Sequence, residues 1–239
     1  MCCLYCSAFI VVLFIFPFNI TKGQSPDTAN KSSFLSVKNY FKNEIKEDTH
    51  LYTGKEYYKY EAGITGFPFF VTNQMRTGDI FYEGTLYKDV PVLYDIVRQV
   101  LVINKYLQET RIQLLTEKIK YFIIDGHRFE IISPVEGEVG NKGLYDVAFT
   151  GKVSVLVKRV KSIKSGQRAE DPNLFREEDE YYLKKGKSVY NVSNKKDVLQ
   201  AFDDKKDIVK IFIRKNNLKF KKDIEKDLIT TAAYYSTLN

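Results

Sequence analysis

The sequence predicts an α+β protein: an antiparallel, meandering β-sheet that can curl towards a barrel, a short helix before it and a helical hairpin after it. Three observations carry this. The chain holds 17 Tyr and 17 Phe but no Trp and only two Met, a composition that suits pleated strands better than a helical bundle. Between Tyr57 and Val192, apolar positions alternate around tight-turn dipeptides. Beyond Val192 the apolar period lengthens to that of a helix and the charge rises.

The first element is an apolar run, Ser7–Phe18, preceded by all three cysteines, Cys2, Cys3 and Cys6. Its twelve residues fit the core of an export signal better than a membrane span of about 20 residues. Thr21 and Gly23 are small, as signal peptidase requires, which places cleavage between Gly23 and Gln24. No Lys or Arg precedes the run, so a retained anchor from Leu4 to Ile20 is the rival reading. With cleavage the mature chain has no thiol, which excludes disulfides, thiolate-bound metals and cysteine nucleophiles. It also has no transmembrane span, and its apolar core alone must stabilise it. The organisation expected is therefore a signal peptide (1–23), a flexible leader (24–31), a helix plus antiparallel β domain (32–192), and a helical pair packed on the sheet (193–239).

Ser32 or Ser33 can cap a helix with Phe34, Val37, Tyr40, Phe41 and Ile45 on one face. A turn, His50–Tyr57, leads into an aromatic strand. Asp79–Tyr82, Thr85–Lys88, Val92–Ile96 and Val100–Asn104 read as a meander. Tyr121–Ile124 and His127–Ile132 flank Asp125-Gly126, a dipeptide that tolerates the positive φ angles of a tight hairpin. Leu144–Phe149 with Lys152–Val157, and Glu180–Leu183 with Ser188–Val192, repeat the plan. Pro134–Gly143 reads as a Gly- and Glu-rich loop, and Lys161–Glu178 as a long charged loop without periodicity. Asn194 and Asp197 make a capping pair at the start of a helix, Lys195–Lys215. Its stripe is Val198, Leu199, Phe202, Val209, Phe212 and Ile213. A second helix spans Phe220–Tyr235 with Ile224, Leu228, Ala232 and Tyr235 in register.

Several matched stretches resemble secreted, uncharacterised proteins of Bacteroidetes-type bacteria. They are HLYTGKEY (His50–Tyr57), GDIFYEGTLYKDVPVLYDI (Gly78–Ile96), YFIIDGHRF (Tyr121–Phe129) and YYLKKGK (Tyr181–Lys187), followed by the basic helical pair. The resemblance covers most of the mature chain. It implies a Gram-negative envelope setting and carries over no activity, because the matched pieces are strand and turn patterns.

No residue is singled out as catalytic, as a metal ligand or as a cofactor site. The two histidines stand apart: His127 could pair with Asp125 as acid and base, and His50 sits beside Asp48. The bland reading of each is an exposed histidine beside a turn or a helix–strand junction. Asp89 with Asp95, Glu136 with Glu138, and Glu177 to Glu180 are the carboxylate sets a hydrolase would need. No nucleophile elbow, phosphate loop or zinc spacing occurs.

Two binding surfaces are candidates. One is aromatic: Tyr57, Tyr58, Tyr60, Phe67 and Phe69 could form a platform for a glycan or peptide, or equally a piece of core. The other is basic. Residues 195–226 carry ten Lys and one Arg against six acids, and Lys205, Lys210, Arg214 and Lys215 could form one positive surface. The competing reading is a solvated face with i,i+4 ion pairs between Asp203, Asp207 and Lys206, Lys210. The function expected is an exported, non-catalytic binding or structural module of the cell envelope. Its partner would be an anionic envelope component or a glycan, not a nucleic acid. The alternatives are a glycan hydrolase using Asp and Glu, and a carrier holding an apolar ligand in a curled sheet.

Overall fold

The computed structural model describes residues 50–105, 110–133, 142–166, 168 and 171–239. The expected signal segment with its Gly23/Gln24 junction, the leader, the N-terminal helix, Asp48, Glu136 and Glu138 lie outside the described residues. What is described is a mostly antiparallel β structure with three helices, in keeping with the α+β expectation.

Strands β1 (Lys55–Glu56), β2 (Arg76–Tyr82), β3 (Thr85–Asp95), β4 (Val100–Asn104), β5 (Arg111–Gln113), β6 (Ile119–Ile124) and β7 (His127–Ile132) come first. They are followed by β8 (Gly143–Thr150), β9 (Ser154–Lys158), β12 (Glu180–Lys185) and β13 (Ser188–Asn191), with β10 (Lys161–Lys164) and β11 (Leu174–Glu177) between β9 and β12. One eleven-stranded sheet runs β1-β5-β4-β3-β2-β6-β7-β8-β9-β12-β13, and β10 pairs β11 in a separate ribbon.

Two predicted strands, Thr85–Lys88 and Val92–Ile96, are one. Lys88 and Asp89 together oppose Asp79 where the register slips between Gly78 and Ile80. Asp89 takes φ 55° there, and its N–H donates to Asp79 Oδ1 at 3.1 Å. Such a bulge breaks the alternation that marks a strand in sequence. Beside it, Gly78 is required by space: a Cβ would come within 2.5 Å of the Ile123 carbonyl oxygen. The long charged loop expected at Lys161–Glu178 holds the β10–β11 ribbon instead. Its short strands are half charged, and β11 is largely exposed, so no apolar alternation announced them.

The sheet is strongly bent. The Lys161 N–H, three residues beyond β9, donates to the carbonyl of Ile96, one residue beyond β3, at 3.1 Å. Gln99 Nε2 donates to the Arg159 carbonyl at 2.8 Å. In sheet order β3 and β9 are five strands apart, about 24 Å on a flat sheet, and three extended residues span only about 10 Å. The six strands must therefore wrap round a common interior. Aromatic rings fill it: Phe122 stacks on Phe129 at 4.7 Å, and Tyr94 and Phe70 pack edge-on against Phe129 at 4.9 and 5.3 Å.

Helices α1 (Lys195–Ala201), α2 (Lys206–Lys215) and α3 (Ile224–Thr237) cover the other half. Val198, Phe202, Val209, Ile213, Leu228 and Ala232 share a second core with Val153, Val155 and Leu183 of the sheet half. The single helix expected over Lys195–Lys215 is broken: after Ala201 the chain makes a 3₁₀ turn, Asp203–Lys205. Asp204 is drawn out of the helical path by Lys185 at 2.6 Å and by the Tyr235 hydroxyl at 2.7 Å. The predicted cap holds, with Asn194 and Asp197 forming a reciprocal capping box. Among the described residues no helix is long and apolar enough to cross a membrane.

Candidate functional site

The most concentrated chemistry sits where the two cores meet. Along β8, Asp146 shares the inward phase of Leu144. Beyond β9, Arg159 continues the inward phase of Val155 and Val157, and in β7 His127 shares that of Phe129. Arg159 is the hub. Nε and Nη2 donate to Asp146 Oδ2 at 3.0 and 2.5 Å. Nη1 donates to Asp179 Oδ2 at 2.8 Å and to Glu225 Oε2 at 2.7 Å, and Nη2 also reaches Glu225 Oε1 at 2.9 Å. His127 Nδ1 lies 2.8 Å from the same Asp146 Oδ2. Asp179 also accepts the Val160 N–H at 3.1 Å.

The side chains of Asp146, Arg159 and Asp179 are 1%, 8% and 8% exposed, so their charges are held against each other and not against water. Burial works against the Arg159 charge. The bonds from Glu225, Asp179 and Asp146 outweigh it and hold the guanidinium above its ordinary range. The hydrogen bond from Asp146 pushes His127 up against the opposing effect of burial. The charges of Asp146 and Glu225 add to the rise, and that of Arg159 opposes it. Tyr181 and Glu225 border an open groove of about 450 Å³ with Lys222, Lys226 and Ile229.

The expected pairing of His127 with Asp125 is not made. Asp125 binds Arg76 across the hairpin end at 2.8 Å, and His127 turns inward to Asp146. His50 is exposed and contacts Glu83 at 3.2 Å. The carboxylate sets do not converge either: Asp89 is exposed while Asp95 is buried. Glu178 binds Lys164 and Ser162, and Glu180 accepts from Tyr182. Among the described residues no group of three or more His, Cys, Asp or Glu is placed to hold a metal ion.

The aromatic segment is core, not platform. Tyr57 and Phe69 are buried, Tyr60 and Phe67 are half-buried, and only Tyr58 is open, at 68%. Asp95, fully buried, organises them. Its carboxylate accepts the Tyr57 hydroxyl at 2.9 Å, the Tyr60 hydroxyl at 3.0 Å, and the N–H groups of Val97 and Arg98 at 2.9 Å each. Arg98 lies over the Tyr60 ring at 3.9 Å. Burial first, and then the Asp95 charge, hold both phenols protonated well above their usual range. Lys161 is buried beside them and donates to the Phe69 carbonyl at 2.7 Å, and desolvation lowers its ammonium.

The four basic candidates do not share one face. Lys205 lies in the 3₁₀ turn, half-buried. At about 100° per residue, Lys210 and Arg214 fall on one exposed stripe of α2 with Lys206, and Lys215 falls on the far flank. Ile211, 56% exposed, stands between the flanks, and Ile208, 44% exposed, lies just beyond Lys215. The expected i,i+4 ion pairs are not formed among the described residues. Asp203 and Asp204 face Lys185 of β12 instead.

The hub was missed in sequence, although it left a trace. Asp146 and Arg159 are charges standing at core-facing positions of otherwise apolar strands. Ile208 and Ile211 left the corresponding trace as apolar residues outside the buried stripe of their helix. No protein-family model matches the chain, and no curated protein or solved structure is similar to it.

Proposed function

We propose that the protein is an exported, non-catalytic binding module of the cell envelope that presents helix α2 to an anionic partner. One observation carries the reading. The side chains best suited to chemistry (His127, Asp146, Arg159, Asp179 and Glu225) are bound to one another between the two cores, whereas the cations of α2 are exposed and form no ion pair among the described residues. Interior charges bound to one another are not free to take a ligand; unpaired surface charges recruit one. Export and the envelope setting rest on the apolar run Ser7–Phe18 and on the resemblance of the strand motifs.

The hydrolase alternative finds its carboxylates here, but in the wrong relation. A glycosidase leaves the space between its two carboxyl groups for the sugar bond; in this protein the Arg159 guanidinium fills it. The carrier alternative needs an apolar hollow, and the rings of Phe70, Tyr94, Phe122 and Phe129 occupy the interior of the curl.

The test is expression of the full chain in a Gram-negative host, followed by fractionation and N-terminal sequencing. Envelope or external protein beginning at Gln24 is expected. It should bind anionic lipid or acidic glycan and release no sugar from any glycan in a panel. Cytosolic protein still carrying Met1, or turnover of a glycan, would refute the proposal.

A further inference from the structure

We propose that α2 docks on the surface of an anionic lipid bilayer, with Ile208 and Ile211 entering the headgroup region and Lys206, Lys210, Arg214 and Lys215 held at the phosphates. The inference rests on the binding-module reading and names its partner. Val209, Phe212 and Ile213 turn the opposite face of the helix into the protein, and the Phe212 ring lies flat on Tyr234 at 3.8 Å. The exposed face is therefore fixed in direction.

Two features single out a bilayer. The first is charge. Four cations and one acid, Asp207, lie on ten residues, and Asp203 and Asp204, which would dilute them, are turned to Lys185. The second is the exposed pair Ile211 and Ile208 on either side of Lys215, across the open face from Lys206, Lys210 and Arg214. A hydrated polysaccharide gains nothing from two exposed isoleucines, while the boundary of a bilayer accepts apolar side chains and anionic contacts together. A protein partner would need about 800 Å² from this side. A helix about 15 Å long and one side chain wide falls far short of that.

The chain has no Trp but 17 Tyr, so Ile211→Trp introduces a single tryptophan at the proposed point of entry, excited selectively at the red edge where tyrosine does not absorb. The full-length protein and its variants are mixed with vesicles of phosphatidylcholine alone or with phosphatidylglycerol. Comparing variants cancels whatever residues 1–23 add. Binding confined to phosphatidylglycerol vesicles, weakened by salt and accompanied by a blue shift of the Ile211→Trp emission, is expected. Lys210→Glu with Arg214→Glu should weaken it more than tenfold, each cation contributing nearly a decade near an anionic surface. Ile208→Ser with Ile211→Ser should weaken it at least about tenfold, with the circular dichroism melt unchanged.

Equal binding to both vesicle types, an unshifted emission on bound protein, or serine variants that bind like the parent would overturn the inference. Binding to soluble acidic polysaccharide or to an acidic protein without vesicle binding would overturn the lipid assignment and leave the binding module standing. Cytosolic location would remove the broader reading by a separate route.

Discussion

Replacing Arg159 by Met removes the hub and keeps most of its aliphatic volume. Five hydrogen bonds to three carboxylates are lost. Asp146 and Asp179, nearly sealed from water, are left facing each other and Glu225. Removing one partner of a buried ion pair costs about 3–5 kcal/mol, chiefly because the remaining charge is uncompensated. Glu225, 29% exposed, can turn to solvent, which sets the expectation near the middle, about 4 kcal/mol. In a domain of this size that lowers the melting temperature by roughly 8–16 °C. Urea unfolding followed by circular dichroism gives the free energy directly. Adding Asp179→Asn to Arg159→Met should recover a substantial part of the loss, because Asp146 keeps His127 at 2.8 Å whereas Asp179, 8% exposed, loses its cation and as Asn can still accept from the Val160 N–H. An Arg159→Met protein within about 1 kcal/mol of the parent, or no recovery in the double variant, would refute the claim that charge compensation joins the two cores.

Two further outcomes follow from neighbouring groups. The folded-state value of His127 is raised by Asp146, so its contribution is complete below the unfolded value of about 6.5 and fades as pH rises through the folded value. The stability gap between the parent and His127→Gln should therefore shrink as the pH rises above about 6.5, and a gap independent of pH in urea melts would contradict this. Asp95→Asn should cost about 2 kcal/mol, since one buried acceptor becomes a donor opposite N–H or O–H groups. Tyr57 and Tyr60 should then ionise at lower pH in an absorbance titration of the phenolate band; an unchanged titration would show that burial alone holds them.

The legible parts of this fold were those in which neighbouring residues decide the conformation. Asp125-Gly126 takes the two left-handed φ angles of a tight turn, 50° and 82°, and the strands on either side follow. Asn194 and Asp197 cap α1 as their spacing suggests. The illegible parts depend on distant partners. Nothing local to Lys195–Lys215 says that Lys185 will take Asp204 and break the helix. Nothing local to Tyr57–Tyr60 says that Asp95, 35 residues beyond Tyr60, will draw these phenols into the core. The alternation that located β8 puts Asp146 on its buried face, and the same phase carried past the end of β9 reaches Arg159. The partners, up to 66 residues away, could not be read from the same pattern.

The arrangement of the hub also sets an order of events during synthesis. His127, Asp146, Arg159 and Asp179 emerge first, and Glu225 follows Asp179 by 46 residues. The complete cluster cannot assemble until α3 has emerged. The curled half can collapse beforehand around its aromatic rings, and the final latch closes last, when α3 settles against β8 and β9. Loss of the tail by nonsense mutation or proteolysis would then leave a half-latched molecule that quality-control proteases recognise readily.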